Sequence, residues 1–241
     1  MSVMSLLITR SCAELQLAWQ SVAFERLGIS LARESLDPET SGLLTFQGVS
    51  FAFDIQAMVP LDVKNFVFCP ADSSRFHSAI HFDFGPSVRG GNRIPAVVKV
   101  LLQLGISLGR ALQAEGVFWA PGSIMSGFDY YAEAVSQYIN GAAFPALLCV
   151  DFDTSDTGVV RSHGLHWLCG QELAFEHAPL TSNIAMRYVV RLVHDLTTKG
   201  LVDQKMHVPG MTVGETVSLT PDVHNKLLSA RLIMADESAS G

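Results

Sequence analysis

The sequence predicts an α+β fold, in which helices pack against a mostly antiparallel sheet. Short segments of alternating apolar residues predict strands, and four longer segments with apolar residues three and four apart predict helices. The strands and helices do not alternate strictly, as they would in a parallel sheet. A pseudo-duplicated two-layer sandwich is an alternative arrangement, because each half of the chain offers a helix and several strands.

The N-terminal part is predicted to begin with a strand, residues 4–9, and a capped helix. Ser11 and Glu14 have the spacing of a capping box, in which each side chain accepts a hydrogen bond from the other residue's backbone amide. The helix is expected to continue to about Arg26 and to stop before Gly28. Further strands are predicted at residues 29–34, 43–59 with a break at residue 48, 65–69 and 78–84.

The remainder of the chain contains three predicted helices. The first covers residues 95–115, with Pro95 in its first turn, and the others cover 128–139 and 181–199. Residues 159–168 and 172–176 are predicted to form a hairpin. Other strands are predicted at residues 117–120, 146–152, 215–219 and 228–234.

The chain is long enough, at 241 residues, to bury one substantial core or two small ones packed together. No low-complexity linker divides it, so we expect residues 1–234 to form a single compact unit. An alternative division gives two halves, near 1–92 and 93–234. The last residues, 235–241, are expected to be a disordered tail.

The composition indicates an excess of apolar side chains, which must be buried either in a large core or against a partner. Hydrophobic residues make up 49% of the chain and charged residues 16%, against about 25% charged residues in a typical soluble domain. Because exposed apolar patches mark interaction sites, we expect a protein partner or a homo-oligomer. The net charge of −7 and the lack of a basic cluster argue against nucleic acid and against an anionic membrane surface.

The four cysteines are spaced widely along the chain: Cys12, Cys69, Cys149 and Cys169. Most lie in apolar stretches, which is typical of buried thiols in a reducing compartment. The first ten residues do not have the pattern of a secretory signal, and the most apolar segment contains Lys99 and Arg110. We therefore expect a cytoplasmic protein with no membrane span and no cofactor.

Two aspartates, Asp151 and Asp153, follow an apolar segment. The pattern looks like the first motif of haloacid-dehalogenase-type phosphatases, where a strand ends in Asp-x-Asp-x-Thr and the carboxylates act as nucleophile and acid/base beside Mg²⁺. Ser155 stands at the threonine position, and no paired acidic motif follows. Aspartates before a turn are common for structural reasons. A calcium loop is also ruled out, because its glycine and closing glutamate are missing.

The segment 162–172 gathers the residue types that carry chemistry: His163, His166, Trp167, Cys169 and Glu172. A structural zinc site needs four ligands. On the predicted strand, His163 and Cys169 would face one way and His166 the other, so they could not converge. We therefore predict no metal site here and expect Trp167 to pack against a neighbouring strand.

The segment Gly105-Ile106-Ser107-Leu108-Gly109 matches the Gly-x-Ser-x-Gly turn of α/β-hydrolases. That turn needs a strand before its nucleophilic serine, whereas here the helical periodicity runs straight through. The two glycines instead indicate that another element approaches this helix closely.

The aromatic residues between 118 and 131 are expected to cap a core, with an anchor for a protein or ligand as the alternative.

Three blocks of sequence together resemble a bacterial domain family of unknown function. They are residues 117–121 (VFWAP), 162–173 (SHGLHWLCGQEL) and 209–214 (PGMTVG). In that family a His-Gly-containing strand leads to a Gly-x-x-Glu-Leu hairpin, a long helix and a Gly-x-Thr-x-Gly turn. Met211 stands where an acidic residue is expected. The resemblance covers residues 95–235, implies a soluble bacterial protein linked to secretion or toxin–immunity systems, and supplies no catalytic residue.

The sequence as a whole favours a non-enzymatic cytoplasmic bacterial protein that binds another protein, as an adaptor or immunity factor. No catalytic set is complete, and an acidic surface suits a basic partner. The candidate binding residues are Trp119, His163, Trp167 and Glu172. One alternative is a metal-dependent hydrolase or phosphatase with Asp151 and Asp153 as catalytic residues. Another is a small-molecule sensor that uses Trp119 or Trp167.

Overall fold

The computed structural model describes residues 2–32, 40–70, 72–155, 158–176 and 180–233. The chain divides into two compact units, residues 1–148 and 149–241. This boundary lies later than the one considered near residue 92, because the strand at 116–119 pairs with the N-terminal strand. The predicted tail, 235–241, lies outside the described residues.

The first unit contains one sheet. Its strands are β1 (Met4–Ile8), β2 (Ile29–Leu31), β3 (Ser41–Phe46), β4 (Val49–Ala57), β5 (Asn65–Val67), β6 (Ser78–Phe84), β7 (Gly116–Trp119) and β8 (Ile124–Gly127). They lie in the order β2-β3-β4-β6-β1-β7-β8-β5, and neighbours are antiparallel except β5 and β8. Its helices are α1 (Cys12–Gln20), α2 (Pro95–Leu112) and α3 (Phe128–Ile139), and the helical turn α4 (Ala146–Cys149) follows.

The second unit contains another sheet, with strands β9 (Asp151–Ser155), β10 (Val159–His163), β11 (Glu172–Glu176), β12 (Met206–Pro209), β13 (Thr216–Pro221) and β14 (Leu227–Ile233). Their order is β12-β13-β14-β11-β10-β9, and β11 and β14 form the parallel pair. The helices are α5 (Leu165–Cys169) and α6 (Ser182–Lys199), and Tyr188 of α6 stacks on Phe175 of the sheet. Two mostly antiparallel sheets with packed helices confirm the α+β class.

The start of α1 confirms the predicted capping box. The Ser11 hydroxyl accepts a hydrogen bond from the backbone amide of Glu14, and the Glu14 carboxylate accepts one from the backbone amide of Ser11. The helix ends at Gln20, earlier than predicted, and a 3-10 turn at Phe24–Leu27 covers the rest of the expected span. In the last turn the carbonyl of Ala18 accepts hydrogen bonds from both the hydroxyl of Ser21, at 2.7 Å, and its backbone amide, at 3.1 Å.

Helix α2 confirms that the two glycines provide room for another element. A Cβ atom on Gly105 would overlap the Tyr131 hydroxyl, and one on Gly109 would overlap the ring of Phe128; both aromatic residues belong to α3. The helix runs unbroken through Ser107, so no strand–turn–helix is formed there. Among the described residues, α2 alone is long and apolar enough to cross a membrane, and half of it is buried inside the protein.

The sheet of the first unit carries a hydrophobic cluster of buried residues on one face. It consists of Leu7, Phe76, Ala79, Phe118 and Met125. The chain between β4 and β6 packs over these residues and supplies partly buried side chains: Met58, Leu61, Val63, Phe66 and Cys69. Burial of the aromatic residues is confirmed for Phe118, Trp119, Phe128 and Tyr131. This covering segment includes β5 and therefore positions the residues that follow it.

Two predicted strands are wrong in part. Residues 146–149 form the turn α4, and β9 begins only at Asp151. The predicted strand 159–168 ends at His163, and residues 165–169 form α5. A run of apolar residues this short fits a strand and a helical turn equally well, so contacts from elsewhere in the chain decide between them. The strands β8 and β12 were not predicted.

Candidate functional site

The carboxylate of Glu172 lies at the centre of the connection from β10 to β11. Its Oε1 atom accepts a hydrogen bond from Gly164 N at 2.8 Å and lies 2.6 Å from His166 Nδ1. Its Oε2 atom accepts hydrogen bonds from Leu165 N at 3.3 Å and from the Ser162 hydroxyl. A carboxylate at this place satisfies the backbone amides that the start of a helical turn leaves free. Both oxygens of Glu172 therefore hold the connection closed.

Ser162 links the same carboxylate to the sheet. Its hydroxyl donates to Glu172 and accepts a hydrogen bond from the backbone amide of Leu173 at 2.7 Å. The residue is buried on the core side of β10. Buried polar groups in folded proteins normally have hydrogen-bond partners, and this hydroxyl both donates and accepts a hydrogen bond. Ser162 thus positions Glu172.

Two glycines let the chain enter and leave α5. Gly164 has a φ of 92° and Gly170 a φ of 97°, in the left-handed region that glycine adopts without steric cost. Next to Gly170, the buried side-chain amide of Gln171 donates to the carbonyl of Val202 at 2.8 Å and accepts from its amide at 2.9 Å. These bonds tie the end of α5 to the loop that follows α6.

His166 is the exposed member of the group. Its side chain is 62% exposed, against 22% for the side chain of Glu172. A histidine whose Nδ1 atom is held by a carboxylate has the orientation of the base in hydrolase triads. The serine of this group contacts Glu172 and not the imidazole, so the three residues do not form such a triad.

The two aspartates of the phosphatase-like motif lie on the edge strand β9. Asp151 stands opposite His163, and Asp153 stands opposite Arg161. Asp153 and Arg161 carry opposite charges, and such a pair at directly opposed positions stabilises a sheet. Asp151 begins its strand instead of ending one, and the described residues contain no group of three His, Cys, Asp or Glu side chains that could hold a metal ion. This geometry gives a metal-dependent phosphatase no support.

The predicted binding residues fall into two places. His163, Trp167 and Glu172 belong to the connection described above, where Trp167 is half-buried. Trp119 lies in β7 of the first unit and is only 2% exposed. Cys169 is buried, so it does not join the exposed His166 in a common site. Three of the four candidates thus lie along one connection, whereas Trp119 is part of the core.

The turn at residues 210–215, the third block of the resemblance, is closed by a second glutamate. The Glu215 carboxylate accepts hydrogen bonds from the Tyr188 hydroxyl, from Thr212 N at 2.9 Å and from Met211 N at 3.1 Å. These bonds, that of Tyr188 above all, lower the pKa of Glu215 to about 2. Glu172 and Glu215 therefore play the same structural role in two different connections.

We expect the turn at Glu215 to loosen only in strong acid. Because its pKa falls from 4.5 to about 2 on folding, the stabilisation by this carboxylate is complete above about pH 4.5 and is lost as the pH falls through 2. An NMR titration should show a midpoint near pH 2 for the Glu215 carboxyl and for the Thr212 amide. Tyr188→Phe should raise the midpoint, and an unchanged midpoint would contradict this assignment.

Sequence reasoning missed a surface around Phe68, the residue after β5. Phe68 has a φ of 49°, which is an outlier for a bulky side chain, and it is 75% exposed. The centroid of its ring lies 4.3 Å from that of Tyr130. The nearest sequence signal was the aromatic group between 118 and 131, which contains Tyr130 but not Phe68. We call these two residues the aromatic pair.

The backbone at Phe68 is held on both sides. Before it, β5 pairs with β8; after it, the Cys69 thiol donates to the carbonyl of Met125 at 3.4 Å. Partial burial raises the pKa of the Cys69 thiol. A side chain at position 127 would overlap the Phe68 carbonyl, and only Gly127 leaves room for it. A strained backbone conformation persists only where the surrounding contacts hold it in place. Such strained positions cluster at functional sites.

A cleft of about 320 Å³ adjoins the aromatic pair. Its walls include Arg75 and Glu115, which form an ion pair, and the exposed Asp129 in the first turn of α3. Because Arg75 and Glu115 neutralise each other, Asp129 is the carboxylate of this cleft that a cationic group could meet. The cleft therefore combines an exposed aromatic surface with a negative charge.

Comparison of the chain with protein-family models, curated proteins and solved structures gives no match, so the resemblance to a bacterial family of unknown function stays a prediction.

Proposed function

We propose that the protein acts by binding another protein, and that the aromatic pair is the centre of its contact surface. The observation that carries the proposal is the backbone of Phe68, which is strained while its side chain is exposed. Aromatic residues dominate the binding energy of many protein interfaces. Such a surface suits an adaptor or an immunity factor in a bacterial cytoplasm.

The free protein gains little from a phenylalanine at this position. A non-glycine residue in the left-handed region costs about 1–3 kcal/mol, and asparagine or glycine would occupy it more easily. Stacking on Tyr130 contributes only about 0.5–1.5 kcal/mol. A ring that is 75% exposed buries little apolar area to offset the strain. Contact with a partner would bury the apolar area of the ring, which would explain why a phenylalanine stands at this strained position.

The partner that fits is a protein with an exposed arginine or lysine. The stem of such a side chain can lie on the rings of the aromatic pair, and its charged head can reach Asp129 in the cleft. The net charge of −7 favours the approach of a basic partner. Arg75 is already paired with Glu115 and would repel the partner less than a free cation.

The experiment that tests this proposal is quantitative capture from a lysate of the host with tagged variants. Phe68→Asn removes the ring and suits the left-handed backbone, and Asp129→Asn removes the charge. Leu17→Gln is the matched control, because Leu17 is also an exposed apolar residue of the first unit, 66% exposed on α1. We expect a partner that the wild type and the control capture and that both test variants lose.

Thermal unfolding of the same variants separates binding from folding. Relief of strain and loss of stacking oppose each other, so Phe68→Asn should change the free energy of unfolding by less than about 1 kcal/mol. If every variant captures the same proteins, or if no protein is enriched over an untagged sample, the proposal is wrong.

A further inference from the structure

The imidazole of His166 has one nitrogen engaged and one available. An ionised carboxylate can only accept hydrogen bonds, so the contact of 2.6 Å between Glu172 Oε1 and His166 Nδ1 places the ring hydrogen on Nδ1. The lone pair of the neutral ring is then on Nε2, at the far side of the ring from Glu172. Because the side chain is 62% exposed, a large reactant can approach the ring from solvent.

From this geometry we propose that His166 is a phosphoryl acceptor, modified on Nε2 by a phosphoramidate. This class of donor includes the phosphohistidine side chain of a second protein. A base that acts on a small substrate lies in a pocket that excludes water. An exposed histidine with a fixed orientation instead suits a donor group that another protein presents.

Glu172 activates the ring in two ways. It fixes the tautomer that leaves Nε2 nucleophilic, and it stabilises the positive charge that the ring acquires when Nε2 forms a fourth bond. The carboxylate cannot turn away, because Gly164 N, Leu165 N and the Ser162 hydroxyl hold it in place. The Nδ1 hydrogen stays on the ring throughout the reaction.

The transfer needs no further reactant. The Nε2 lone pair of His166 forms a bond to phosphorus while the phosphorus–nitrogen bond of the donor breaks, and the bonding electrons return to the donor nitrogen. With a protonated phosphohistidine donor, a neutral imidazole leaves. With phosphoramidate itself, ammonia leaves. No atom is oxidised or reduced.

The test uses the full folded chain and potassium phosphoramidate as the probe. Modified histidines are followed over time by peptide mapping with mass spectrometry, in neutral solutions that preserve the phosphorus–nitrogen bond. The internal control is His207, an exposed histidine on β12. We expect His166 to react at least about tenfold faster than His207, because an oriented acid–base partner contributes a factor of this order or more. We also expect the label on Nε2.

A variant addresses the role of the carboxylate. Glu172→Gln should reduce the rate at His166 to that at His207 and leave the rate at His207 unchanged. If this variant does not fold, the ratio of the reaction rates of His166 and His207 in the wild type still tests the proposal. Equal rates in the wild type, or a label on His166 Nδ1, would overturn the proposal.

Discussion

The substitution Gly109→Ala is expected to lower the free energy of unfolding by about 2 kcal/mol, although alanine is the better helix former. The added methyl group would overlap the ring of Phe128, where α3 crosses α2. That ring is buried, and a rigid aromatic ring cannot bend away from an added methyl group as the end of a flexible side chain could. The helices must therefore separate or the ring must leave its preferred rotamer.

Two opposing effects set the size of this loss. Alanine in place of glycine stabilises a helix interior by about 1 kcal/mol. Overpacking of a close-packed core costs about 1–3 kcal/mol and occasionally more. The overlap at position 109 involves a carbon of a rigid aromatic ring, so we expect the cost to lie at the upper end and to exceed the gain.

Urea unfolding monitored by circular dichroism measures the effect. Ser107→Ala is the matched control, because it lies on the same helix and is half-buried, and we expect a change below about 0.5 kcal/mol. A gain in stability in Gly109→Ala, similar to that of an ordinary glycine in a helix, would show that the two helices are not in close contact there.

The elements that were predicted well are those with local signals. The strand Ser78–Phe84 and the helix Phe128–Ile139 have the predicted bounds at both ends. In the strand, apolar residues alternate, and in the helix Gly127 precedes the first turn while Asn140 follows the last. These signals lie within a few residues of the element. The local preference of the chain therefore agrees with the final fold, and the element can be predicted from its own sequence.

The elements that were predicted wrongly depend on contacts with residues beyond their own bounds. The helical turn α5 has five residues, too few for a helical period to show. What favours it is the carboxylate of Glu172, seven residues after Leu165, together with the left-handed glycines at its ends. Glu172 was predicted from sequence to be a candidate binding residue. Its hydrogen bonds to Gly164 and Leu165 were not predicted, because residues 159–168 were expected to form a strand.

The surface at Phe68 could not be found from sequence for a related reason. Its unusual backbone results from the pairing of β5 with β8 and from the space at Gly127, which is far away along the chain. Phenylalanine itself favours a strand, and the sequence from 65 to 69 predicted one. A conflict between local preference and observed backbone becomes visible only in the structure, and such conflicts mark functional positions.

The substitution Glu172→Ala is expected to destabilise the protein by roughly 3 kcal/mol. It leaves the amides of Gly164 and Leu165 and the hydroxyl of Ser162 without their acceptor. Each buried donor that loses its partner costs about 1–3 kcal/mol, and water can reach some of them because the Glu172 side chain is 22% exposed. The contact with the exposed His166 side chain contributes less than about 1 kcal/mol.

Three further variants separate these contributions in urea unfolding. Glu176→Ala lies on the same strand at an exposed position and should change stability by less than about 0.5 kcal/mol. His166→Ala should cost less than about 1 kcal/mol. Glu172→Gln should lose most of what Glu172→Ala loses, because its amide group must turn a donor toward other donors. If Glu172→Ala costs no more than Glu176→Ala, the carboxylate does not close the connection, and it could not hold His166 in a reactive orientation either.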